Sequence, residues 1–146
     1  RASLSVAASS VSHSGAAGGQ LRHAAGGRGA GFEGRRVRLI YKDMIGIAEP
    51  IRLALSWGGV DFEDVRISQE EVERLRAAGE LPFGQVPVLE VDGARSAQSQ
   101  AILRHVGRRV GLYPEELELQ CDGVEEALAD MRTLLRPLWY GHALGR

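Results

Sequence analysis

The sequence predicts an α/β fold with a mixed sheet. Between residues 37 and 78, short apolar runs alternate with amphipathic stretches in the order strand, helix, strand, helix. Between residues 86 and 97, two more apolar runs meet at Asp92-Gly93, the strongest hairpin dipeptide in the chain. A strand–helix–strand crossover implies parallel pairing, and a two-residue turn implies antiparallel pairing.

Each element has a local reason. Residues 37–41, Val-Arg-Leu-Ile-Tyr, are mostly apolar, as suits a strand covered on both faces. A Gly-containing loop follows. Glu49 and Pro50 then open a helix, proline fitting the first turn where no amide donor is needed. Ile51, Ala54 and Leu55, flanked by Leu53 and Trp57, give this helix an apolar face, and Gly58 and Gly59 stop it. Residues 62–67 read as a second strand and residues 69–78 as a charged helix. Residues 86–91 form a strand containing Pro87, and residues 94–97 return antiparallel. Ser99 caps a helix that runs to Arg109 with Ile102, Leu103 and Val106 on one face. Gly111 and Pro114 break the chain, and a longer helix is expected over residues 115–135, with Pro137 ending it. The order is β-α-β-α-β-β-α, followed by the start of a helical region.

Composition excludes several functions. The 146 residues are 44% apolar and 25% charged, ordinary for a soluble globular protein. Residues 1–40 carry six arginines against one acid, Glu33, a net of +5. The remaining 106 residues hold 12 bases and 18 acids, a net of −6, which argues against nucleic-acid binding through a broad basic face. The single cysteine, Cys121, can form neither an internal disulfide framework nor a multi-cysteine zinc site, the usage of an intracellular chain. It is read as a packing residue. His105 and His142 lack any partner pattern for a metal. The longest uncharged run, residues 2–21, is too poor in large aliphatics to span a membrane.

Residues 1–36 contain 8 Gly, 8 Ala and 6 Ser and show no hydrophobic period. Such a segment cannot bury enough apolar area to offset the entropy of ordering it, so it is expected to be disordered. Its acid-poor, Arg- and Ser-containing character suits a transit peptide or a flexible extension equally. His13 and His23 lie in it and are read as solvated. The expected location is the cytoplasm, or a plastid or mitochondrion if this leader is a transit peptide. The chain opens on Arg1 rather than methionine.

Three sites carry candidate chemistry. Pro87 lacks a ladder donor and belongs at an edge or an irregular join, where it either shapes a turn or frees the backbone of Val86 to pair with an extended peptide. Ser99 at a helix start either serves as an ordinary cap or helps to seat a carboxylate on the exposed amides. Tyr41, ending a strand, either fills the core with its ring or offers its hydroxyl to a substrate.

Residues 37–114 resemble the N-terminal domain of cytosolic glutathione S-transferases, a thioredoxin-like fold, and within them the sigma class. The matching pieces are Leu39-Ile40-Tyr41 followed by Met44, Gly46, Ala48, Glu49, Ile51 and Arg52; the segment LPFGQVPVLEVDG over residues 81–93; and Gln98-Ser99 opening a helix through Ala101-Ile102. The resemblance implies glutathione as co-substrate and no metal. It implies a cis bond before Pro87, glutathione bound by Gln85, Val86, Pro87, Gln98 and Ser99, and its sulfur polarised by Tyr41. An unidentified small electrophile and a homodimeric full-length form are implied too, with no nucleic acid and no membrane as partners.

Departures from the family pattern are equally specific. Ile47 stands where sigma-class members usually carry an arginine, and Ile45 where another basic residue is common. Val72 is nearest to a tryptophan that often contacts glutathione, and Arg74 and Arg76 are read as solvated helix residues, the alternative being that one replaces the lysine that meets its glycine carboxylate. Glu125 is read as a surface helix carboxylate, the alternative being the acidic residue that in many members reaches the neighbouring subunit's glutathione. Only 32 residues follow Pro114, read as the start of a truncated all-helical domain over residues 115–146. The resulting expectation is a glutathione transferase. The alternatives are a non-catalytic member like the S-crystallins, or a thioredoxin-like interaction module without affinity for glutathione.

Overall fold

The computed structural model describes the backbone of residues 31–143 and the side chains up to residue 138. Its strands are β1 (Val37–Lys42), β2 (Phe62–Ile67), β3 (Val88–Val91) and β4 (Ala94–Ala97), and its helices α1 (Glu49–Trp57), α2 (Gln69–Ala77), α3 (Ser99–Arg109) and α4 (Glu118–Ala143). They form one four-stranded sheet in the order β2-β1-β3-β4. β1 pairs parallel with β2 and antiparallel with β3, and β3 pairs antiparallel with β4. This is the mixed thioredoxin-like sheet, followed by a helical region.

Two cores flank the sheet. Leu39 and Tyr41 of β1 and Leu89 of β3 pack with Ile51, Ala54 and Leu55 of α1 and with Ile102 and Val106 of α3. Ile40 and Val88, pointing to the other face, pack with Val72 and Leu75 of α2 and with Leu81. The alternation along β1 follows from the two-residue period of a strand, which sends neighbouring side chains to opposite faces. Burying a side chain such as Leu39, Ile51 or Leu55, each 0% exposed, stabilises the fold by about 1.5–3 kcal/mol.

Four local expectations need correction. Phe32, within the expected leader, is 4% exposed and belongs to the core on the α1 and α3 side, while the other residues of 31–36 are exposed. The segment is pinned by Arg35 and by the Arg36 amide, both bonded to Asp92 at 2.8 Å. The rest of that leader, with His13 and His23, lies outside the described residues. Leu53 and Trp57 face solvent at 62% and 70% exposure, so the buried stripe of α1 is narrower than its composition suggests. β3 pairs only from Val88, because Pro87 has no N–H to donate to a ladder. Pro137 lies inside α4 rather than ending it, and the helix continues to Ala143. A proline there removes one backbone donor, and the turns on either side keep theirs.

Candidate active site

Three pieces distant in sequence meet at one end of the sheet. In the β1–β3 pair Ile40 lies opposite Val88, and in the β3–β4 pair Val88 lies opposite Ala97. Continuing both registers by one residue puts Pro87 between Tyr41 on one side and Gln98 on the other. At about 4.8 Å per strand spacing, the backbones of Tyr41 and Gln98 stand roughly 10 Å apart, the reach of an extended tripeptide.

The central piece is the Val86–Pro87 bond, which is cis. Val86 is half-buried and precedes the first paired residue of β3, and Gln85 before it is exposed, just past a 3₁₀ turn over Pro82–Gly84. On the β4 side, Gln98 rather than Ser99 occupies the cap position of α3 and makes no side-chain cap bond. The expected capping role of Ser99 therefore shifts: Gln98 turns the chain with φ 76° and ψ 102°, and Ser99 is already the first helical residue. A left-handed conformation in a residue other than glycine costs on the order of 1–3 kcal/mol and persists where the surroundings impose it. The exposed Gln98 side chain and the half-buried Ser99 then flank the first amides of an eleven-residue helix, which have no partner within the helix and carry its partial positive charge.

Tyr41, at 6% exposure, packs its ring in the core. Its hydroxyl meets the loop between β1 and α1 at Gly46. A Cβ there would lie 2.5 Å from the Tyr41 oxygen, and Gly46 has φ +48°, so both space and backbone call for glycine. Ile45 and Ile47 of this loop are exposed and bring no charge to the hydroxyl.

Arg52 is the site feature for which sequence reasoning found no role. It is 6% exposed. Its Nε donates to Asp64 of β2 at 3.0 Å, and its Nη1 donates to the carbonyls of Met44 and Ile45, each at 3.1 Å, and to Glu49 at 2.9 Å. Its guanidinium carbon stands 5.8 Å from the centre of the Tyr41 ring. Burial pushes the Asp64 carboxyl up, and the bonds from Arg52 and Arg66 outweigh it, holding that carboxyl below its ordinary range. The available signal was Glu49 three residues before Arg52 on a helix, with an arginine inside the apolar stripe.

Other candidates go elsewhere. Val72 is 2% exposed in the core beneath α2 and cannot stand in for a surface tryptophan. Arg74 forms a double hydrogen bond with Glu71, and Arg76 bonds the Gly84 carbonyl and Glu73, which makes both part of the α2 surface. Glu125 pairs with Arg132 at 3.4 Å, and both line a small cleft with Ile47, Ser99, Gln100 and Leu103. A wider depression of about 630 Å³ lies over β3, β4 and α3 and contains none of the converging residues. Cys121 is half-buried on α4. The side chain of His142 lies outside the described residues. Among the described residues no cluster of three metal-ligating side chains occurs, and no helix is long and apolar enough to cross a membrane.

Comparison with known proteins bears on the fold. Residues 37–108 match the family model of the glutathione S-transferase N-terminal domain. A curated glutathione S-transferase 1 from Ascaris suum is 43% identical over 103 residues, covering 68% of this chain and 48% of that protein. A crystal structure of a nematode glutathione S-transferase from C. elegans superposes with a TM-score of 0.71 at 32% identity, over 75% of this chain and 54% of the other. A prostaglandin synthase D of Nilaparvata lugens superposes with a TM-score of 0.62 at 39% identity, over 67% of this chain and 49% of the other. The chain spans about half the length of the relatives it matches. By sequence and by fold together, residues 37–108 form a glutathione S-transferase N-terminal domain.

Proposed function

We propose that this domain binds glutathione across the end of the sheet and activates its thiol with Tyr41. The observation that supports this reading is the convergence of Tyr41, Val86 with cis-Pro87, and Gln98-Ser99 at one sheet end. The cysteinyl backbone of the tripeptide pairs with Val86, next to Gln85 and Pro87, as an added one-residue strand. Its γ-glutamyl carboxylate sits on the first amides of α3, beside Gln98 and Ser99. The sulfur then faces Tyr41, whose hydroxyl donates to it.

That bond favours the thiolate. A hydrogen bond to a charged group contributes about 1.5–3 kcal/mol, and each pKa unit is about 1.4 kcal/mol. One bond therefore lowers a thiol pKa by roughly one to two units from about 8.5, making the nucleophilic form a substantial fraction at neutral pH. The thiolate attacks an electrophilic carbon, a C–S bond forms, and the leaving group departs with its electron pair. An isomerisation begins with the same attack and ends with release of the unchanged glutathione. The sigma-class assignment, a homodimeric full-length protein and a cytoplasmic location belong to the same proposal.

The near-complete burial of Tyr41 favours one competing reading, a non-catalytic member of the fold in which the ring is a core residue. Calorimetric titration with glutathione separates the two, together with the ultraviolet absorbance of the bound thiolate, in this chain and in Tyr41→Phe. The proposal expects binding by both chains and a thiol pKa about one unit or more higher in Tyr41→Phe. Binding with the same thiol pKa in both makes Tyr41 a core residue only, and failure of the unmodified chain to bind removes the glutathione reading altogether.

A further inference from the structure

We propose that Arg52 is the positioning residue of the Tyr41 hydroxyl, holding from beneath, through the carbonyls of Met44 and Ile45, the loop whose Gly46 closes on that hydroxyl. The inference rests on the function proposed above and assigns a role to a residue outside the substrate contacts. Four observations carry it. Arg52 is buried, and one guanidinium nitrogen, Nη1, accounts for both loop carbonyls and Glu49. Its Nε is anchored outside the loop, on Asp64 of β2. The clamped carbonyls immediately precede Gly46, whose missing side chain leaves room for the Tyr41 oxygen. Nη2 is buried without a hydrogen-bond partner.

The geometry makes the arginine hard to replace. A trans peptide holds its N–H antiparallel to its C=O, so fixing the carbonyls of Met44 and Ile45 also fixes the orientation of the amides of Ile45 and Gly46. The loop has no other charge of its own at these positions, since Met44, Ile45 and Ile47 are apolar and exposed. A planar guanidinium can face two directions at once, with Nε toward the sheet and Nη1 toward the loop. A lysine ammonium at the end of a flexible stem cannot hold both in register. The unpaired Nη2 is a cost to folding that a smaller donor would avoid. An arginine with one unpaired nitrogen fits a site where the fork serves a position rather than the best-satisfied core.

The test uses the full 146-residue chain, glutathione itself as the probe, and the thiol pKa of the bound tripeptide read from thiolate absorbance. The unmodified chain must first bind glutathione with a lowered thiol pKa; absence of either overturns the proposed function, and this inference with it. Given that, Arg52→Lys is expected to bind glutathione while its thiol pKa rises by about one unit, a tenfold loss of thiolate at pH below that value. A purely structural arginine would lower the melting temperature and leave the thiol pKa of the folded protein unchanged, and that result overturns the inference while leaving the glutathione site intact. Should Arg52→Lys fail to fold, Asp64→Asn decides: it weakens the anchor of Nε, and Asp43→Asn serves as the control for the loop contact that Asp64 reaches through Arg66. A smaller rise in thiol pKa supports the positioning role, and an unchanged value refutes it.

Discussion

Gly46→Ala tests the contact between loop and hydroxyl directly, and its cost can be worked from two separable parts. The first is backbone strain: φ at Gly46 is +48°, and an L-residue there costs about 1–2 kcal/mol. The second is overlap: the new methyl would sit 2.5 Å from the Tyr41 oxygen and 2.8 Å from a ring carbon. Such overlaps need a shift approaching 1 Å and cost about 1–3 kcal/mol in a packed site. Two other glycines isolate the parts. Gly93 has φ +86° and nothing within 4 Å of its would-be Cβ, so Gly93→Ala carries strain alone. Gly58 has φ −70°, and its Cβ would meet Val110 at 2.4 Å, so Gly58→Ala carries overlap alone. Thermal and urea unfolding should rank Gly46→Ala as the most damaging, at roughly 2–5 kcal/mol, with each control losing part of that. In glutathione titrations only Gly46→Ala should raise the bound thiol pKa. Gly46→Ala no worse than Gly93→Ala, with an unchanged thiol pKa, would refute the claim that the loop rests on Tyr41.

Further outcomes follow from the same contacts. Phe32→Ala should cost about 3 kcal/mol or more in urea unfolding, since it removes a buried ring that also meets His105 edge-on at 6.1 Å and Arg109 at 5.4 Å. His105 is held below its ordinary value of 6.5 by burial first and by Arg109, Arg35 and Arg108 after it. The unfolded chain therefore binds the extra proton more readily, and stability declines as pH falls below about 6.5, so His105→Gln should flatten that part of the stability–pH curve. Glu90 is held low by bonds from Arg95 and then Arg38, so it contributes stability above the ordinary carboxylate range that is lost as pH falls through its lowered value. Glu90→Gln should lower stability at neutral pH by about 1–3 kcal/mol and shrink the acid-dependent loss. Val124, Leu128, Met131 and Leu138 fall at heptad-like spacing on α4 and face solvent, so the isolated chain should self-associate in sedimentation, and Leu128→Lys with Met131→Lys should reduce that association.

The fold was legible because its signals are local. The hairpin at Asp92-Gly93 and the breaks at Gly58-Gly59 place elements by turn chemistry that acts over a few residues. The period of apolar residues named Ile51, Ala54, Leu55, Ile102 and Val106 as buried. The misjudged residues depend on partners far along the chain. Phe32 looked like part of a glycine-rich leader because its burial is created by α3, more than 70 residues later. Leu53 and Trp57 looked like flank residues of an apolar face, and both stay mostly exposed, at 62% and 70%. Pro137 looked like a stop, although a proline inside a helix removes only one donor when the flanking turns hold.

The site divides the same way, along a line that explains why Arg52 went without a role. Tyr41, Pro87 and Ser99 could be singled out from sequence because each sits at or near an element boundary, whereas Gln98 and the glutathione roles of all four came from the family resemblance. Their convergence needs only the strand registers, since Pro87 falls between Tyr41 and Gln98 once both pairings are known. Arg52 sits mid-helix inside an apolar stripe, and its partners come from three directions: Asp64 on β2, Glu49 one turn back, and the carbonyls of Met44 and Ile45. Backbone carbonyls leave no trace in a sequence, so no residue pattern marks the loop as held. The missing arginine at position 47 then looks different. A charge in the loop would act on the sulfur directly, whereas a buried guanidinium beneath the loop acts by fixing where Gly46 and the hydroxyl meet. If Tyr41 activates the thiol as proposed, then with Ile47 in place that activation rests on the position of Tyr41, which makes it more sensitive to changes at Arg52 and Gly46 than to changes of surface charge.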